Sequence, residues 1–205
     1  MKTIYLIRHG ESEGNSKRIF QGWLDCALTS EGRFQAELLA ERLKNKGIRY
    51  FFSSPLKRAY ETAEIIAKKY DEMNIIKIEK LKELNCGKWQ GLTREEVKKI
   101  SPKQLHNFLY NPEKLQIPGG DSIVDLQKRA IKALFEILNY VEDDNVLCIV
   151  AHGFINKVIL CTISSLPLSK IWDFPQANTG VNIIKYDGKF DIIEINNTDH
   201  LIVDP

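Results

Sequence analysis

The chain has 205 residues and a mass of 23.6 kDa, with 43% hydrophobic residues, 27% charged residues and a formal net charge of +2. That size predicts one domain over residues 1–205, large enough to bury a core, and the even charge balance argues against nucleic acid or a membrane surface as partner. No apolar run approaches membrane-spanning length, no leader precedes the first strand signal, and Cys26, Cys86, Cys148 and Cys161 form no C-x-x-C pair; the expectation is a cytoplasmic protein without disulfides or a metal cluster.

Residues 3–7 are β-branched and aromatic, which predicts a buried strand ending abruptly in Arg8-His9-Gly10-Glu11. Thr29 is the expected N-cap of a helix reaching about Lys46 and closed by Gly47, with Ala36, Leu39, Ala40 and Leu43 as its apolar stripe. Residues 49–53 read as a short strand. Ser54 and Pro55 are then the expected N-cap and first residue of a helix running to about Tyr70.

A third strand is expected over residues 75–79. The capping boxes Thr93-x-x-Glu96 and Ser101-x-x-Gln104, the latter with Pro102 at the first helical position, mark two short helices. Pro118-Gly119-Gly120 is a turn leading to Ser122 and a long helix that buries Leu126, Ala130, Leu134, Ile137 and Val141. An apolar strand over 146–151, a helix over 153–164 and a hairpin over 183–195, turning at Asp187-Gly188, complete the chain. Strand alternates with helix, so the fold class is α/β: a three-layer domain whose mostly parallel central sheet carries an antiparallel edge strand, with helices on both faces.

Two strands end in the same way, one in Arg8-His9-Gly10 and the other in Ala151-His152-Gly153. If they are parallel neighbours, both imidazoles emerge at the C-terminal sheet edge, where open α/β sheets place ligands. An imidazole beside a fixed cation suits attack on a phosphate-like centre. Arg58 follows a third strand-to-helix corner, where a helix N-terminus already favours anions and a guanidinium adds a bidentate clamp. Glu83 lies a few residues beyond the third strand and is placed to give a proton to a leaving alkoxide. His106 and His200 lack the strand-His-Gly setting and default to surface or packing roles.

These segments together resemble the histidine phosphatase superfamily, the phosphoglycerate mutase-like group, over essentially the whole chain. The motifs that carry the resemblance are Arg8-His9-Gly10-Glu11 with Asn15, Gln21-Gly22, Leu28-Thr29-x-x-Gly32, Ser54-Pro55-Leu56-x-Arg58-Ala59-x-x-Thr62-Ala63, Glu83 with Gly87 and Gly91, Gly119-Gly120-x-Ser122 and Ala151-His152-Gly153. The resemblance implies that His9 takes the phosphoryl group, that Arg8, Arg58 and His152 surround its oxygens, and that Glu83 serves as acid and then base. Asn15 and the backbone of Gly153 would be further donors to phosphate, and Gln21 and Gly22 would line the substrate site. Glu11 would orient an arginine or the imidazole from behind. No metal or cofactor is implied, and a homodimer is implied by the resemblance alone.

Within the group, hydrolysis of a small phosphorylated metabolite is favoured over a cofactor-dependent mutase. About 35 residues separate Glu83 from Pro118, no Arg stands between Arg94 and Arg129, Gln21 precedes Gly22, and Phe154 follows Gly153. The mutases of this group carry a longer insertion there with paired arginines. A non-catalytic module that binds phosphorylated ligands is the third reading. Substrate choice is assigned to residues 105–117 and 20–23, with Phe20, Trp23, Phe108, Tyr110 and Phe154 as a partly apolar wall suited to a bulky alcohol.

Overall fold

The computed structural model describes residues 1–70 and 73–202. In chain order it runs β1 (Lys2–Arg8), α1 (Glu13–Ser16), α2 (Ser30–Leu43), β2 (Ile48–Ser53), α3 (Lys57–Ala67), β3 (Ile75–Lys77), α4 (Arg94–Ile100), α5 (Pro102–Tyr110), α6 (Ile123–Tyr140), β4 (Val146–Ala151), α7 (Gly153–Ile163), β5 (Val181–Tyr186) and β6 (Phe190–Asn197). The strands form one sheet in the order β3-β2-β4-β1-β5-β6. The first four in that order are mutually parallel; β5 runs antiparallel to β1, and β6 antiparallel to β5. The expected hairpin therefore attaches through β5 and leaves β6 on the edge.

Side chains alternate across each strand and so feed two cores. Ile4, Leu6, Leu147 and Ile149 face α6 and α7, meeting Leu126, Leu134, Ile155 and Ile159. Tyr5, Ile7, Cys148 and Val150 face α2 and α3, meeting Leu39, Leu43, Ala63 and Ile66. Cys148 and Cys161 are fully buried, as small apolar side chains are. Among the described residues no helix is long and apolar enough to cross a membrane.

Three helix starts match their expected caps. Thr29 Oγ1 accepts from Gly32 N at 3.0 Å, Thr93 and Glu96 form the reciprocal box, and Ser122 Oγ accepts from Asp125 N at 3.1 Å. Two do not. Helix α3 begins at Lys57 rather than Pro55, because Ser54 Oγ lies 2.7 Å from His152 Nε2 and is committed to that imidazole as well as to Leu56 N. The Ser101 box does not form either; Gln104 Oε1 accepts from the main-chain N of Gln116 at 2.9 Å instead. Strand β3 is also shorter than expected, since the chain turns into a single 3₁₀ turn at Glu79.

From β1 the chain passes to α2 on one face, and from β4 to α7 on the other. Adjacent strands whose connections diverge open a crevice at their C-terminal ends. The register pairs Arg8 with Ala151, so His9 and His152 leave the sheet side by side at that crevice.

Candidate active site

His9 Nδ1 lies 2.7 Å from the carbonyl oxygen of Gly10. A carbonyl can only accept, so Nδ1 carries the proton and Nε2 keeps its lone pair. Arg58 Nε donates to that Nε2 at 3.2 Å. Burial, then the charges of Arg58 and Arg8, push the His9 pKa well below its ordinary value. The imidazole is therefore neutral at neutral pH. The His152 ring stands 5.1 Å away, centroid to centroid, tilted by 62°. It too is buried and held neutral, chiefly by desolvation, and its Nδ1 has no partner among the described residues.

Arg58 is 1% exposed. Its Nη1 donates to Leu24 O at 2.8 Å and its Nη2 to Gly22 O at 2.9 Å, so the loop after α1 wraps the guanidinium in carbonyls. Gly22 has φ +52, and a Cβ there would fall 2.7 Å from Cys86 N; the wrap requires glycine. Arg8 donates from Nη1 to Gln176 O at 2.6 Å, and its buried Nε has no partner among the described residues. Asn15 Oδ1 accepts from Ser12 N, Ser12 Oγ and Asn178 Nδ2 at 3.1, 2.8 and 3.3 Å. With its oxygen so occupied, its amide donors remain for a ligand. Gln21 Oε1 lies 2.8 Å from the same Ser12 hydroxyl.

Arg8, His9, Asn15, Gln21, Gly22, Arg58, Glu83 and Gly153 all line one cavity of about 200 Å³, closed by Phe20, Phe108, Phe154 and Lys157. His152 is not one of the wall residues; its ring packs edge-on beside His9. Glu83 accepts from the main-chain N of Leu84 at 2.9 Å and, with both carboxylate oxygens, from Phe154 N at 3.2 Å. The acid thus sits at the N-terminus of α7. Two guanidiniums, a neutral imidazole whose Nε2 lone pair faces Arg58 and a carboxylate converge on one small space, an arrangement suited to moving a phosphoryl group.

The family model for the histidine phosphatase superfamily (branch 1) matches residues 4–198. The chain belongs to this superfamily. Phosphoserine phosphatase 1 of Hydrogenobacter thermophilus is 32% identical over 98% of this chain and 95% of its own. Among solved structures, Bacillus stearothermophilus YhfR superposes with a TM-score of 0.93 at 32% identity, covering 98% of this chain and 99% of that one. A phosphoserine phosphatase mutant from Entamoeba histolytica, solved with phosphoserine, has a TM-score of 0.88 at 28% identity over 98% of this chain and all of its own. Relatives named phosphoglycerate mutase also occur, one from Schizosaccharomyces pombe being 32% identical over 91% of this chain and 92% of its own.

Some expectations for this histidine phosphatase chain need correction. Of residues 105–117 only Phe108 reaches the cavity; Leu105, Leu115 and Ile117 are core. Tyr110 is exposed and pairs with His106. Trp23 stays off the wall and donates from Nε1 to Glu83 O at 2.7 Å. Glu11 touches neither an arginine nor an imidazole. Its Oε1 accepts from Thr29 Oγ1 at 2.8 Å and its main chain anchors the start of α2, where a Cβ on Gly32 would lie 1.9 Å from Glu11 O.

Sequence reasoning gave no role in the site to four other residues. Asn178 Nδ2 donates to His9 O at 3.0 Å while reaching Asn15, and Thr179 N donates to the same carbonyl at 3.2 Å. Arg129 donates to Lys80 O, Lys82 O and Glu83 O and pairs with Asp121 at 2.7 Å, clamping the segment that carries Glu83. Lys157 lies on the wall. A strand followed by His-Gly announces itself; a loop Asn and a mid-helix Arg do not.

Proposed function

We propose that this chain is a metal-independent phosphomonoester hydrolase working through a phosphohistidine on His9, as one catalytic unit over residues 1–205. His9 Nε2 attacks phosphorus, the bond to the alcohol oxygen breaks, and protonated Glu83 gives its proton to that oxygen. Glu83, now a carboxylate, takes a proton from water as the water attacks phospho-His9, which releases phosphate and restores the neutral imidazole. Arg8, Arg58 and His152 stabilise the oxygens of the transferring group, and the amides of Asn15 and Gly153 add donors. Gln21 and Gly22 shape the floor of the site.

The observation that carries this reading is the fixed tautomer of His9, whose lone-pair nitrogen faces Arg58 inside the cavity that also holds Glu83. The relatives named phosphoserine phosphatase support hydrolysis of a small phosphorylated metabolite. A reducing, cytoplasmic setting goes with this reading, since Cys86, Cys148 and Cys161 are buried thiols.

Phosphate release from a small phosphomonoester in excess chelator, abolished in His9→Ala, is the expected result. Activity surviving that substitution would remove the phosphohistidine step. Isomerisation of 3-phosphoglycerate with a bisphosphoglycerate primer, without phosphate release, would make the chain a mutase instead.

A further inference from the structure

Lys157 is the third cation on the cavity wall, and the phosphoryl chemistry above leaves it without a task. It stands one turn beyond Gly153 on α7, so both positions share a helix face. Its residue is 9% exposed, its Nζ donates to Phe174 O, and the Trp172 ring centroid lies 5.1 Å from the ammonium. Among the described residues no carboxylate comes within ion-pair distance of it.

An ammonium has three N–H donors, and Phe174 O accepts from one. Burying such a group with a single acceptor is costly, and a methionine would fill the same volume without that cost. The position therefore fits an anion that is present only with the ligand. Both oxygens of the Glu83 carboxylate accept from the main-chain N of Phe154, three residues before Lys157 on α7. Lys157 thus stands on the proton-donor side, where the alcohol leaves, rather than around the phosphoryl oxygens. Burial, with Arg8 pushing the same way, brings its pKa down to about 8, so it remains mainly charged at neutral pH.

We propose that Lys157 is the specificity-determining residue of the alcohol subsite and that it selects phosphomonoesters whose alcohol carries a carboxylate. The proposal rests on the hydrolase reading for its reaction and on the cavity for its geometry. The third cation pairs with the substrate's second anionic group, while Phe108 and Phe154 exclude water from that pair and strengthen it.

O-phosphoserine and O-phosphoethanolamine test this directly, because they differ only by the carboxylate. The wild-type kcat/KM should favour phosphoserine by about tenfold or more, as for a desolvated charge pair. In Lys157→Met that ratio should collapse toward one, with the loss in KM, and Lys157→Arg should restore part of it. Lys157→Gln, which keeps a donor for Phe174 O, guards against a misfolded methionine variant and should lose the ratio too. A wild-type ratio near one, a ratio that survives in the Met and Gln variants, or an equal fall on both substrates would overturn the proposal. Calorimetric binding to His9→Ala separates the two readings. Carboxylate-dependent binding to that variant, with no turnover of either ester by the wild type, would sink the hydrolase and leave Lys157's role standing. Equal binding of the two esters would sink the role.

Discussion

Glu83 and Phe154 are joined by the main-chain N–H of Phe154, which lies 3.2 Å from each oxygen of the Glu83 carboxylate. The acid carried by the loop after β3 is thereby seated on the helix that follows the second histidine. Two segments 71 residues apart in sequence meet at one proton. Glu83→Gln keeps the shape and one acceptor oxygen but cannot transfer a proton. Its kcat should fall by about 10²- to 10⁴-fold with little change in KM. For an ester of an acidic alcohol such as p-nitrophenol, which leaves without help, phosphoenzyme should accumulate because the water step still lacks its base. Rapid quench with ³²P-labelled substrate measures this. A variant that turns over such an ester at the wild-type rate would exclude Glu83 from the water step.

Arg129 holds Glu83 from behind through four acceptors: three main-chain oxygens and Asp121. Arg129→Met removes the donors and leaves partly buried carbonyls unpaired, at a cost of about 1–3 kcal/mol per lost partner where water does not replace it. Since the clamp positions the acid rather than the substrate, kcat should fall about tenfold or more while KM stays within about twofold. Lys at this position is a point charge on a single stem and should rescue only part of the loss. A drop in melting temperature with unchanged kcat would make Arg129 structural only.

Asn178 ties the His9 carbonyl to Asn15 Oδ1 through one amide, at 3.0 and 3.3 Å. Asn178→Ala removes one of three donors to Asn15 Oδ1 and one of two to His9 O. The Asn15 amide is then less tightly preset, so phosphate and vanadate, probed as inhibitors, should bind about threefold to tenfold more weakly. Asn178→Asp should be worse than Ala, because a carboxylate would face two acceptor oxygens and have no proton to give. Equal inhibition constants in all three proteins would remove Asn178 from the site.

What could be read from the sequence follows from distance along the chain. Arg8-His9-Gly10 and His152-Gly153 stand against strand ends, and the parallel register of β1 and β4 makes adjacency in the sheet follow from pattern alone. Arg58 was legible for the same reason. Arg129 was not: it lies 46 residues from Glu83 and looks like any polar position on an amphipathic helix. Asn178, in an irregular stretch before β5, reaches His9 across 169 residues with no periodicity to mark it. The misplaced start of α3 has a related cause. Ser54-Pro55 is a sound local cap signal, but His152, 98 residues away, takes a share of the Ser54 hydroxyl.

Two buried imidazoles and one half-buried imidazole should make the fold sensitive to mild acid. His9 and His152 have pKa values held well below the ordinary value, chiefly by desolvation, and His200 is brought down to about 4 by burial and by Arg42. A histidine with a lowered folded pKa binds fewer protons folded than unfolded. Stability is therefore complete above the unfolded value of about 6.5 and is lost as pH falls below it, by up to about 1.4 kcal/mol per pH unit per group. Urea unfolding at pH 7.5, 6.5 and 5.5 should show little change over the first step and a clear loss over the second. His200→Gln should reduce that slope, since its hydrogen bond to Thr179 Oγ1 can be replaced without a titrating group. Carboxylates whose pKa values are lowered, such as Asp125 and Asp143, act further into acid and do not set this window. A flat profile between pH 7.5 and 5.5 would mean that the imidazoles accept protons inside the fold. His9 would then lose, as pH falls through about 6.5, the lone pair on Nε2 that its attack on phosphorus requires.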